Sequence, residues 1–247
     1  MPAAAATTTG ITTTTTSMAE PLPPAALYRL MAWMSPSYPV GAFSYSHGLE
    51  WAVEAGDIAD AASLADWLGL VLEAGSGLAD ATFMVHAHRA LAAGDGAALA
   101  EVAELALAFQ PARERLLETT AQGNAFMLAT EAAWPAEGLG VLRSAWSGAV
   151  AYPVAVGAAT AAHGIGEALS VHAFLHAVIA NLVSAAVRLV PLGQTDGQRV
   201  LARLEPQVEA TAAAAMATPL DELGGHALRS DLAAMRHETQ YTRLFRS

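Results

Sequence analysis

Apolar residues recur at intervals of three and four along most of this chain. In Leu64, Trp67, Leu68, Val71 and Leu72 that spacing gathers them on one stripe of a helix. The pattern repeats over Leu78–Leu91, Leu99–Phe109 and Arg113–Ala132. It breaks at Gly75–Gly77, Gly94–Gly96, Pro111 and Trp134–Gly140, where glycine and proline stop helices. Further helices fit Leu142–Val150, Val154–His163, Ala168–Val190, Asp196–Leu204 and Pro206–Ala217, the last with its proline in a favourable first turn. A short one fits Asp231–Arg236. Alternating runs of the strand type are confined to the N-terminal arm, and no repeat of fixed period is present. The expected fold is all-α: a bundle-like single domain of about ten helices over residues 25–225. It is preceded by a Thr/Ala-rich arm, residues 1–24, with too little apolar surface to order itself, and followed by a tail, residues 226–247.

The hydrophobic content, 54%, raises the question of a membrane span. Residues 144–166 and 168–187 are two uncharged runs of spanning length. The first is broken by Pro153, Gly157 and Gly164, and the second carries Ser170, His172, His176, Asn181 and Ser184, all costly in hydrocarbon. Helices apolar all round because other protein surrounds them are the better reading, so no membrane is expected. The arm lacks the basic start and apolar stretch of a secretory signal, which makes the cytoplasm the expected compartment.

All 12 basic residues are arginine, and there is no cysteine. That excludes a phosphate-binding loop of the lysine type, Schiff-base chemistry, thiolate nucleophiles, disulfides and cysteine-based metal centres. A net charge of −11 argues against a nucleic-acid partner. The charge is unevenly spread, because residues 226–247 hold Arg229, Arg236, Arg243 and Arg246 against Asp231 and Glu238. A basic tail with Tyr241 and Phe245 on an acidic body reads either as an end folded back on that body or as a docking segment.

Candidate chemistry is sparse. His172 and His176 lie four apart on the longest apolar helix and can share a metal, which leaves a helical metal-binding enzyme as an alternative reading. His86 and His88, two apart, point away from each other and read as a surface feature. Asp57 and Asp60 read as caps for the helix that follows. No nucleophile elbow is present, and no closely spaced acid pair sits in an apolar context. These residues assemble no catalytic site.

Ser35–Glu50, SPSYPVGAFSYSHGLE, is unlike generic helix: prolines, glycines, serines and aromatic rings crowd one loop, a composition suited to recognition. LYRLMAWMSPSYPVGAFSYSHGLEW (27–51) closely resembles the N-terminal signature of the urease accessory protein UreF family. AYPVAVGAATAAHGI from Ala151, VPLGQTDGQRVL from Val190 and DLAAMRHETQYTRLFRS from Asp231 resemble further blocks of that family, in the same order.

The resemblance implies a cytoplasmic, dimeric, all-α protein that is not itself an enzyme and has no cofactor of its own. By the same resemblance it joins the accessory protein UreD (UreH in some organisms) to the GTPase UreG. It influences GTP hydrolysis and helps nickel, in transit, reach apo-urease. Tyr241, Arg243, Leu244 and Phe245 match the tail segment that faces UreD. Phe43 matches an aromatic of the UreG-facing loop. His172, His176 and Arg188 fall on the helix of that surface, with histidines where some relatives carry basic and tyrosine side chains. Arg188 is thereby a candidate to reach the GTPase as an arginine finger.

Overall fold

Most helices begin and end where the breaks fall; the one expected over Leu142–Val150 instead runs Leu139–Ala145. The computed structural model describes residues 23–247, and among them are eleven α-helices and two short 3₁₀ turns. The α-helices are α1 Pro24–Trp33, α2 Leu49–Glu54, α3 Ala61–Ala74, α4 Ser76–Ala92, α5 Gly96–Ala108, α6 Arg113–Ala133, α7 Leu139–Ala145, α8 Tyr152–Ala162, α9 Glu167–Leu189, α10 Gln194–Ala217 and α11 Leu228–His237. No strand occurs among the described residues, so the all-α class holds. The expected arm lies outside the described residues except for its last two positions, where Pro24 already opens α1.

Local chemistry explains the starts. Asp60 caps α3, its carboxylate accepting the Ser63 amide at 2.8 Å while Ser63 Oγ accepts the Asp60 amide at 3.1 Å. Asp95 does the same for α5 through the Ala98 amide, and Pro153 sits in the first turn of α8. Asp57 is no cap; it pairs with Arg229.

The core is built on α4 and α8, which approach so closely that a Cβ at Gly157 would lie 2.3 Å from the Met84 carbonyl oxygen. Every residue of α8 from Pro153 to Thr160 is buried. The uncharged run 144–166 is not one helix: α7 ends at Ala145 and α8 begins at Tyr152. Two stretches, Ala61–Ala92 and Glu167–Leu189, are long and apolar enough to cross a membrane, but their most apolar windows are 72% and 50% buried inside the helical body. The first of them is two helices, divided at Gly75.

Three local expectations are corrected. Pro206 does not start a helix; it lies inside α10, which runs unbroken through both predicted segments. Pro206 is exposed, so the hydrogen bond it cannot donate is lost where water reaches the backbone. His86 and His88 are not surface features. Their Nε2–H groups donate to the carbonyls of Thr218 (2.9 Å) and Ile165 (2.8 Å), pinning α4 to neighbouring segments. The pattern over the first half of α6 is inverted: Arg115, Glu118, Thr119 and Gln122 are buried while Leu116 and Leu117 are exposed, whereas in the second half Phe126 and Met127 enter the core. Buried polar side chains on that scale require partners: Arg115 finds Asp80 of α4, Thr119 accepts the Tyr152 amide, Gln122 donates to Glu118, and Glu118 also meets the loop and the tail.

Candidate functional site

The loop that carries the sequence signature, residues 35–48, folds against α6 along its length, Tyr38 meeting Thr130 at 2.7 Å and His47 meeting Glu118, and against the C-terminal half of α9 through Asn181 and Arg188. A left-handed Gly48 ends it, at φ +77°. A Cβ there would lie 2.5 Å from the Ala234 amide nitrogen, so α11 packs directly on this turn. His47, also left-handed at φ +58°, is the one non-glycine residue with positive φ among those described. That geometry strains a side-chain-bearing residue and persists only where the surroundings fix it.

A ladder of buried glutamates holds the tail to the loop. Glu50 of α2 accepts the amides of Leu244 (2.6 Å) and Phe245 (2.9 Å) and lies 3.2 Å from His237 Nε2. Glu114 of α6 meets the other imidazole nitrogen of His237 at 2.6 Å and Arg243 at 2.5 Å. Glu118, one turn on, accepts from the Ser247 hydroxyl at 2.6 Å and pairs with Arg115 at 2.6 Å. Ser46 closes the circuit, its amide and hydroxyl both donating to the Ser247 carbonyl.

Behind the ladder lies a buried ionic cluster. Arg115 faces Glu118 and, at 3.7 Å, Asp80 of α4; His47 Nδ1 sits 3.1 Å from Glu118. Burial pushes Asp80 up to about 6, the Arg115 guanidinium opposing it. Burial, helped by Arg115, pushes His47 down to about 3, so the ring is neutral. For Glu118 burial works upward, but Arg115, His47 and the Ser247 hydroxyl outweigh it and the net direction is down. One guanidinium therefore serves two carboxylates. A cavity of about 200 Å³ reaches this cluster from the surface near Phe43 and His176. A second, smaller cavity shares His47, Glu118, Gln122 and Tyr152 with it, and a third shares Asp80 with the second and ends near Asp231.

The residues singled out from the sequence fall in three places. Phe43, Arg188 and Phe245 come together: the guanidinium stands 3.7 Å from the Phe43 ring centroid and 4.3 Å from that of Phe245. It also donates to the Phe43 carbonyl through both terminal nitrogens at 3.1 Å and to the Ser184 carbonyl through Nε at 3.2 Å. Burial lowers its pKa. Phe43 is 64% exposed while Phe245 is 4% exposed, so the sandwich has one ring outside and one in the core. In the tail, Tyr241 and Leu244 point to solvent, whereas Arg243 is engaged by Glu114. His172 and His176 lie apart from the sandwich, facing α10, although His176 also lines the cavity near Phe43.

Glu50, Glu114, Glu118, Asp80 and His237 are not among the candidates the sequence offers, and His47 is one only as part of the loop Ser35–Glu50. Two signals point to three of them, Glu114, Glu118 and Asp80: three charges at positions 114, 115 and 118 of a helix otherwise read as apolar on one face, and a single acid, Asp80, within LADATFMV.

The UreF family profile matches residues 58–205. A urease accessory protein UreF of Rhodopseudomonas palustris (strain HaA2) is 62% identical over 223 residues, 90% of this chain and 94% of that protein. One from Bradyrhizobium diazoefficiens is 61% identical, over 90% of this chain and 92% of its own length. One from Rhodopseudomonas palustris (strain TIE-1) is 56% identical over 93% of this chain and 97% of its own. These relatives are named as accessory proteins, which sets aside the reading of a metal-dependent enzyme. The chain belongs to the urease accessory protein UreF family.

Proposed function

We propose that this chain serves urease maturation in the cytoplasm as a homodimeric adaptor that joins UreD (UreH) to the GTPase UreG. In that role it modulates GTP hydrolysis by UreG and helps pass nickel to apo-urease. The observation that carries the reading is the arrangement of the tail. Phe245 and Arg243 anchor it, and Tyr241 and Leu244 are thereby held outward on a rigid support beside Phe43. Exposed aromatic and aliphatic side chains on a preorganised segment lose little entropy on binding, which suits a docking surface.

The chain has no lysine and no phosphate-binding loop, so its influence on hydrolysis is exerted by contact with the GTPase. Three donor groups of Arg188 are engaged within the chain, which favours a role in holding Phe43 in place over that of an arginine finger. For nickel, three neighbouring cavities bordered by His47, Glu118 and Asp80 offer imidazole and carboxylate groups, donors suited to a borderline divalent ion.

The test is a co-purification of UreD with the Tyr241→Ala/Leu244→Asp variant, paired with urease activation in cells that lack the native gene. Both residues are exposed, so the variant keeps its fold, checked by circular dichroism. Loss of UreD capture and of activation is expected. Wild-type capture together with full activation at limiting nickel would refute the adaptor reading.

A further inference from the structure

His237 closes α11 and is wholly buried, and each nitrogen of its ring faces a carboxylate from a different helix. Nδ1 stands 2.6 Å from Glu114 of α6, and Nε2 stands 3.2 Å from Glu50 of α2. An ionised carboxylate accepts and cannot donate, so two hydrogen bonds require a proton on both ring nitrogens. The ring that makes this bridge is an imidazolium. A buried charge of that kind persists only while it is paired.

The bridge is tied directly to the tail. The Glu50 oxygen that faces the ring, Oε2, also accepts the Phe245 amide, while Oε1 accepts that of Leu244. Among the described residues Glu50 has no other ion pair, whereas Glu114 is shared with Arg243. The charged groups farther out are engaged elsewhere. On α6, Arg115 pairs with Glu118, which the loop's His47 also faces. Asp231 of α11 borders a small cavity with Asp80 of α4, and Glu238 accepts the Arg113 amide at 2.7 Å. Glu54 of α2 accepts from Gln240 at 2.5 Å. If the ring gives up one proton, Arg243 still serves Glu114, but nothing else serves Glu50. With its remaining proton on the shorter contact, Nε2 turns a lone pair toward the oxygen that holds Phe245.

We propose that His237 is a pH-sensitive clasp: as the imidazolium it locks Glu50 onto the tail, and as the neutral ring it lets residues 244–247 open. The sign follows from which form is held in the closed state. A contact that needs the protonated ring is present in acid and lost as the pH rises. The clasp is a property of the chain alone. That its opening withdraws the outward Tyr241 and Leu244 from a partner rests on the adaptor reading, and the measurement below involves no partner.

The experiment follows hydrogen exchange of the C-terminal peptide in the full chain from about pH 5.5 to about pH 8.5, spanning the range where an imidazole ordinarily changes charge. Rates are divided by those of the same peptide unfolded, which removes the intrinsic dependence of amide exchange on pH. Protection of the Leu244 and Phe245 amides should fall by about tenfold or more across that range, as expected for a lost hydrogen bond between charged groups. His237→Gln keeps one donor and should show low protection at every pH. Glu50→Gln retains an acceptor oxygen but no charge and should also lose the pH dependence. Asp80→Asn, which removes a second group that ionises in this range, should keep it. Nitrogen-15 spectra of the histidine-labelled chain should show both His237 nitrogens protonated at the acid end. Thermal melts establish that each variant is folded, and the wild-type titration carries the test should His237→Gln fail to fold. Tail protection that does not change with pH overturns the proposal. So does a pH dependence that survives both glutamine variants or disappears in Asp80→Asn, or a ring found neutral at the acid end.

Discussion

Glu50 is the side chain on which the tail depends most, and its removal has a calculable effect. It accepts two tail amides, from Leu244 at 2.6 Å and Phe245 at 2.9 Å, and faces His237 at 3.2 Å. Glu50→Ala leaves the Phe245 amide buried without an acceptor, which costs about 1–3 kcal/mol. The Leu244 amide is only partly buried, so water recovers a share of its loss. Together the two destabilise the closed tail by about 2–4 kcal/mol, a factor of about 30 to 1,000 in its opening equilibrium. His237 keeps Glu114, and α11 keeps its packing on Gly48, so the opening is confined to the last residues of the chain. Hydrogen exchange read by mass spectrometry on a C-terminal peptide should speed up by a comparable factor, with the urea midpoint much less affected. Glu50→Gln retains one acceptor oxygen and should fall between. Tail exchange within a few-fold of the wild type would refute the reasoning. So would a fall in global stability with no earlier opening of the tail.

Two further perturbations test the cluster and the core. Asp80 titrates near 6, above its ordinary 3.8, so the folded state holds its proton more tightly than the unfolded chain. Its contribution to stability is therefore lost as pH rises from about 4 through 6, by up to about 3 kcal/mol at neutrality. Asp80→Asn should gain on the wild type between pH 4 and 7.5 in paired urea titrations, and a relative loss with rising pH would reverse the sign. The comparison must be made against the wild type at each pH, because His47, held near 3, has the opposite effect: its stabilisation is present above about 6.5 and falls away in acid. Gly157→Ala should destabilise by at least about 1–3 kcal/mol through overpacking, although alanine is the better helix former by about 1 kcal/mol. The cause is the Met84 carbonyl 2.3 Å from the new Cβ, and a neutral result in thermal melts would show that α4 and α8 can part at little cost.

The helices were legible where local chemistry alone decides them. Gly75–Gly77, Gly94–Gly96 and Pro111 all fall at real ends, and Asp60 caps as its position suggested. Pro206 misled because proline is usually a first-turn residue, yet an exposed mid-helix site with water at the freed carbonyl also accommodates it. The buried polar face over the first half of α6 is not legible in the sequence, because the run Arg113–Glu118, with its adjacent leucines and charges, carries no label for which face is inside. That choice is made by Ser247, Arg243 and His237, more than a hundred residues away. The same distance hid the candidate site. Glu50 and Phe245 are 195 positions apart, and nothing in either neighbourhood announces the other. Phe43 and Arg188 were reached through family resemblance, but their meeting with Phe245 in one stack is a tertiary fact.

The geometry also alters the meaning of the charge asymmetry. A +2 tail on a −13 body suggests a segment waiting for an acidic partner. In the folded chain much of that positive charge is met at home: Arg229 pairs with Asp57, Arg243 with Glu114, and His237 stands between Glu50 and Glu114. The acids it meets belong to the loop and to α6, so the attraction that looked intermolecular is what folds the tail onto the body. What is left outward is Arg236 and Arg246 together with apolar side chains: Tyr241 and Leu244 on the tail, Phe43 on the loop, and Leu228, Leu232 and Met235 along one face of α11. Such side chains contribute through burial, which salt does not screen, whereas the ion pairs beneath them set the shape that a partner meets. Two of the four tail arginines, Arg229 and Arg243, are thus a folding device, and the face offered for recognition is made of the rings and aliphatic side chains they hold in place, beside the exposed Arg236 and Arg246.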